Sequence, residues 1–116
     1  MKIIPKHLFT ESHLRLGLAL ALFMLVLIVF WPATGYDFVN FDDDVYVSNN
    51  LVVQQGLTWH GIRWAFTSVY ELWWLPLLWI SYMADISLFG PGAYGHHLVN
   101  ILLHALNAAL LFWALA

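Results

Sequence analysis

Residues 16–36 read LGLALALFMLVLIVFWPATGY, a run without a single charge. Its 21 residues span a hydrocarbon core of about 30 Å at about 1.5 Å of rise per residue. Within a bilayer every backbone N–H and C=O has to be bonded inside the segment, so the run is expected to be a helix. Trp31 and Tyr36 fall near its far end, where amphipathic rings favour the headgroup level, and Pro32 and Gly35 mark where it frays. Lys2, Lys6 and Arg15 precede the run, whereas Asp37, Asp42, Asp43 and Asp44 follow it. The positive-inside rule then places residues 1–15 in the cytoplasm and the acidic stretch on the far side. A cleaved signal peptide is the competing reading. The run is longer than a usual h-region, and its nearest small-residue triplet, Ala33-Thr34-Gly35, is a poor cleavage site, so an uncleaved anchor is preferred.

The composition agrees. Of 116 residues, 62% are hydrophobic, 17% aromatic and 9% charged, against about 25% charged in soluble proteins. Four Lys/Arg and seven Asp/Glu cannot cover the surface of a small water-soluble domain. A net charge of -3 argues against a basic nucleic-acid binder. The absence of cysteine excludes a disulfide framework, a thiolate metal site and a cysteine nucleophile.

Downstream, residues 97–116, HLVNILLHALNAALLFWALA, form a second run long enough to cross, giving a second transmembrane helix over 96–116. The chain stops inside apolar sequence with no basic anchor after it, which reads as the N-terminal part of something longer. Residues 37–95 form the extracytoplasmic loop. Thr58 is a candidate N-cap for a short helix, TWHGIRWAFTSV, with Trp59, Ile62, Phe66 and Val69 on one face. Residues 72–90, LWWLPLLWISYMADISLFG, hold only 13 uncharged residues before Asp85. With Pro76 and four flanking aromatic residues, Trp73, Trp74, Trp79 and Tyr82, they favour a second interfacial helix over a third span. Phe89-Gly90-Pro91-Gly92 is a turn. The expected fold is an all-α membrane protein, with two transmembrane helices joined by a loop carrying two interfacial amphipathic helices.

Three groups could carry chemistry. Asp42-Asp43-Asp44 is either a solvated acidic turn or a carboxylate cluster that takes a proton from an incoming hydroxyl, one member orienting the acceptor or holding a divalent cation. His96, His97, Asn100, His104 and Asn107 fall within about 100° of arc at 100° per residue, a polar stripe on an apolar helix. The deeper His104 and Asn107 suit interhelical hydrogen bonding, and His96 and His97 suit contact with a polar ligand. A metal site is not expected there. Arg63, the only Lys or Arg after Arg15, either snorkels from an interfacial helix or faces a lipid phosphate. Glu71 and Asp85 are ambiguous.

The order of FDDDVYVSNN, LTWHGIRWAFTS, the Trp-x-Pro-Leu-x-Trp pattern at Trp74–Trp79 and GHHLVNILLHALNA resembles the N-terminal region of the transmembrane and tetratricopeptide-repeat O-mannosyltransferases, over roughly residues 16–116. That resemblance implies a C-type glycosyltransferase fold in a multi-pass protein, here of the bacterial inner (cytoplasmic) membrane. It implies a polyprenyl-phosphate sugar donor and a protein Ser or Thr hydroxyl as acceptor. The family's acidic pair falls on Asp43 and Asp44 as catalytic residues, with Asp42 an additional carboxylate. Asp42, Arg63, His96 and His97 become candidate substrate-binding residues. The chain departs from the pattern at Leu75, Leu78 and Tyr82, where relatives tend to be polar. Outside an enzyme, the same segments would serve as a membrane anchor or assembly module that positions a repeat domain for protein partners.

Overall fold

A computed structural model describes residues 6–116, with side chains from residue 10 onward; residues 1–5 of the expected cytoplasmic N-terminus lie outside it. The described chain is mostly helical, and no strand occurs among the described residues. Two helical stretches, Thr10–Gly35 and Ala93–Leu115, are long and apolar enough to cross a membrane. The chain divides into two units, one holding the N-terminal helix through Pro32 together with Asn100–Ala116, the other Ala33–Val99.

In the first unit, helix α1 (Lys6–Phe30) tightens into a 3-10 turn over Trp31–Gly35. Pro32 has no N–H to donate and its ring would crowd the carbonyl four residues back, so the α-pattern gives way there. The C-terminal helix of the chain (Ala93–Leu115, α5 below) contributes its latter part. Leu16, Ala19, Leu20 and Phe23 line one apolar groove with Leu106, Ala109, Leu110 and Trp113. Phe30 meets His104 edge-on at 5.0 Å. Early residues of α1 thus lie beside late residues of α5, an antiparallel pairing. Among the described residues of this unit, Ala19, Ile101 and Ala105 are the buried ones.

The second unit is built around Trp79. After a single π-type turn (Asp44–Ser48) come α2 (Leu51–Gln54), α3 (Trp59–Thr67), α4 (Pro76–Phe89) and the first residues of α5. Each start has a local cause. Asn50 Oδ1 accepts from the amides of Val52 and Val53 and caps α2. Thr58 Oγ1 accepts from Gly61 N and caps α3 as the sequence predicts. Pro76 opens α4, where its missing donor would be unpaired in any case. Gly90, at φ 87, ends α4 at the expected turn.

Trp79, Met83, Val53 and Ala65 are fully buried, with Val47 and Ile86 nearly so. Edge-on rings surround Trp79: Tyr46 at 5.3 Å, Tyr70 at 5.6 Å, Trp64 at 5.7 Å and Tyr82 at 6.3 Å. Such pairs contribute about 0.5–1.5 kcal/mol each beyond the area they bury. Helices α3 and α4 approach closely because Gly61 has no side chain; a Cβ there would lie 2.5 Å from Met83 Sδ. Gly56, at φ 73, lets the chain pass Ser87, whose Oγ accepts from Leu57 N at 2.7 Å.

One local reading changes. The rings of Trp79 and Tyr82 are expected at the headgroup level, yet Trp79 is the centre of the core and Tyr82 is half-buried against it. An aromatic ring suits both environments, and only the partners supplied by α3 and the acidic turn decide between them. On α3 the stripe containing Trp59 and Phe66 faces outward, and Gly61 and Ala65 face the core. Helix α4, at 14 residues, is about 21 Å long, short of a bilayer crossing.

Candidate functional site

The acidic stretch is a folded turn. Asp43 Oδ2 accepts from Val39 N at 2.9 Å, Asp44 Oδ1 from Val45 N at 3.0 Å, and the carbonyl of Asp42 from Tyr46 N at 2.8 Å. These bonds run back to the preceding loop and forward into the π-type turn, so the carboxylates are held by backbone amides. Asp42 is exposed, whereas Asp43 and Asp44 are half-buried. Each side-chain bond occupies one oxygen and leaves the other carboxylate oxygen outside that bond, which is what a proton acceptor needs. The π-type geometry follows from anchoring at both ends. Gln54 Nε2 donates to Val47 O at 2.8 Å and Tyr70 Oη to Val45 O at 3.3 Å, and Val47 is drawn into the core.

Tyr82 of α4 lies in the field of this turn. Burial pushes its phenol above the usual range, and the negative charges of Asp43, Asp85 and Asp42 reinforce the shift, as does Tyr46. Its hydroxyl is therefore held protonated, a donor in a cluster of acceptors. The ring meets His96 edge-on at 5.4 Å, and Phe38 lies on another side of His96 at 5.6 Å.

His96 leads to a pair that the sequence reading leaves unassembled. Its Nδ1 lies 2.9 Å from Asp85 Oδ2, with both side chains almost wholly buried. Burial raises the Asp85 carboxyl above its ordinary value, and the imidazole opposes that shift through its charge and hydrogen bond. A lone charge in the apolar α4 was the signal available, since such a group is tolerated only beside a partner. The partner lies 11 residues away, beyond the Gly90 turn, so helical spacing could not reveal it. The Nε2 atoms of His96 and His97 are buried without a hydrogen-bond partner among the described residues. An unmet buried polar group costs about 1–3 kcal/mol.

The expected site residues therefore separate. Asp42, Asp43 and Asp85 carry charge that acts on Tyr82, His96 meets its ring, and Asp44 stands next to Asp43 in the same turn. His97 is half-buried beside His96. Arg63 is exposed on α3, where it lines a groove with His60, Trp64 and Thr67. Of the deeper stripe, His104 meets Phe30, and Asn100 and Asn107 are exposed. No group of three or more His, Cys, Asp or Glu converges as a metal site among the described residues. Chemically, the cluster offers carboxylates to take a proton, a phenol to donate a hydrogen bond and a carboxylate-oriented imidazole. Compared with protein families, curated proteins and solved structures, the chain finds no match.

Proposed function

We propose that the chain is the N-terminal part of an integral-membrane glycosyltransferase that moves a sugar from a polyprenyl-phosphate donor to a hydroxyl, with a protein Ser or Thr as acceptor. The N-terminus is cytoplasmic, the two long helices cross the bacterial inner membrane, and residues 37–95 form the extracytoplasmic loop. Asp43 or Asp44 takes the acceptor's proton. The acceptor oxygen bonds to the anomeric carbon as the bond from that carbon to the phosphate oxygen breaks, and the phosphate leaves with the electron pair. Tyr82 and the Asp85–His96 pair help to fix the carboxylates and the hydroxyl. The observation that supports this reading most is the acidic turn itself, whose Asp43 and Asp44 carboxylates are held by backbone amides while the charges of Asp43 and Asp42 act on the phenol of Tyr82.

The test is sugar transfer by the full-length protein from a polyprenyl-phosphate sugar to a peptide hydroxyl. Asp43→Asn and Asp44→Asn should between them lower the rate by about 10²–10⁴-fold, the usual contribution of a positioned base, with membrane insertion unchanged. Undiminished transfer by both variants would sink the mechanism and favour the anchor or assembly reading, in which these carboxylates are dispensable.

A further inference from the structure

The groove on α3 carries a feature that the transfer mechanism does not use. Taking 100° per residue, Phe66, Trp59, Arg63, Thr67 and His60 follow one another around the exposed side of the helix. Trp59 is 84% and Phe66 51% exposed, so the guanidinium borders an outward apolar stripe. On its other flank His60, Trp64 and Thr67 complete a groove of about 330 Å³ with it. Trp64 is a rigid wall, its ring packed edge-on against Tyr70 and Trp79. The Thr67 hydroxyl donates to Arg63 O at 2.8 Å, which ties the two residues across one turn. Arg63 forms no ion pair among the described residues, and no other Lys or Arg occurs from residue 16 to residue 116.

We infer that Arg63 and His60 form a seat for a phosphate group, carried by a lipid whose acyl chains lie along the Trp59–Phe66 stripe. The guanidinium supplies a planar fork of donors matched to two phosphate oxygens, and the imidazole one turn earlier supplies a further N–H. An amphipathic helix at the membrane surface places its apolar side among the acyl chains and the border of that side at headgroup level, where lipid phosphates lie. The seat goes beyond sugar transfer. A phospholipid with no transferable saccharide should occupy it, so failure of the transfer assay and failure of the seat are separate results.

Native mass spectrometry of the purified chain in detergent tests the seat, with phosphatidylglycerol, phosphate-free diacylglycerol and inorganic phosphate as probes. Wild type should retain phosphatidylglycerol over diacylglycerol. Arg63→Gln should weaken that retention about tenfold, the worth of one charge-assisted contact. Arg63→Lys should weaken it less, because charge survives without the fork, and His60→Gln should give a smaller loss. Displacement by inorganic phosphate at equal concentration would uphold the seat with the free anion as its ligand, whereas resistance to displacement assigns it to lipid. Equal retention by wild type and Arg63→Gln, with circular dichroism showing both helical, would overturn the proposal, as would equal retention of diacylglycerol.

Discussion

The two units bury apolar side chains on opposite terms. Along α1 only 6% of the most apolar window is buried, and along α5 11%; leucine, valine and isoleucine cover the outside, and among the described residues of the first unit the buried positions are Ala19, Ile101 and Ala105. Between Ala33 and Val99 a tryptophan, Trp79, is wholly enclosed, with aromatic rings packed around it. In water the first arrangement would leave its hydrophobic surface unused; hydrocarbon around it would remove the need for a core. The second is a core in the ordinary sense, assembled by side chains far apart in sequence. Two helices long and apolar enough to cross a membrane thus do without fully buried large side chains among the described residues, whereas the acidic turn and the Asp85–His96 pair belong to the unit that has a core.

The contrast is sharpest at Trp79. Trp79→Ala should cost about 3–5 kcal/mol, from lost burial and the cavity left behind. Ile28→Ala, at a side chain 68% exposed on α1, should change stability by no more than about 0.5 kcal/mol. Denaturant titration in detergent, followed by tryptophan near-ultraviolet dichroism, compares the two. Similar losses would mean that the first unit also depends on side-chain packing.

A smaller effect is expected at the buried pair. Asp85→Asn should cost about 1–3 kcal/mol, because the amide retains an acceptor but loses the charge that His96 faces. The same variant tests the sign of the pH dependence. Burial raises the Asp85 carboxyl above its ordinary 3.8, so the folded state holds that proton more tightly than the unfolded chain does. Its contribution is complete below 3.8 and is lost as pH rises through the folded value. Wild type should therefore lose stability over that window more steeply than Asp85→Asn. Equal slopes would show that His96 holds the carboxylate ionised in the folded state.

A small gain is expected at one turn. Glu71 and Leu72 both have positive φ, 47° and 70°, in a tight turn closed by reciprocal bonds between Tyr70 and Trp73. Leu72 is 94% exposed and has no packing to lose. Leu72→Gly should raise stability by up to about 1 kcal/mol by relieving the left-handed backbone, read as a shift in thermal midpoint. A loss instead would show that the leucine has a partner outside the turn.

Much of the helical layout was legible because its causes are local. The charge-free run of 16–36, the break at Pro32, the Thr58 cap and the Gly90 turn each follow from residues within a few positions of one another. The acidic turn and His96 were visible as chemistry but not as a cluster. Nothing in FDDDVYVSNN indicates that Asp43 bonds Val39 N, and nothing in the apolar α4 indicates which residue answers Asp85. Tyr82 read as an interfacial ring because aromatic side chains suit the headgroup region as well as a core.

Hydropathy, capping and turn chemistry by themselves marked the two long helices, the Thr58 start of α3 and the Gly90 end of α4, since a helix closes its hydrogen bonds within a few residues; α2, the π-type turn and the start of α1 at Lys6 were not read. Tertiary structure alone decided that Trp79 is interior, that Asp85 meets His96, and that Tyr82 joins the carboxylates to that pair. Those outcomes depend on α3, α4 and the start of α5 meeting across distant stretches of chain, and the free energy of burying a ring or pairing a charge exists only once they do.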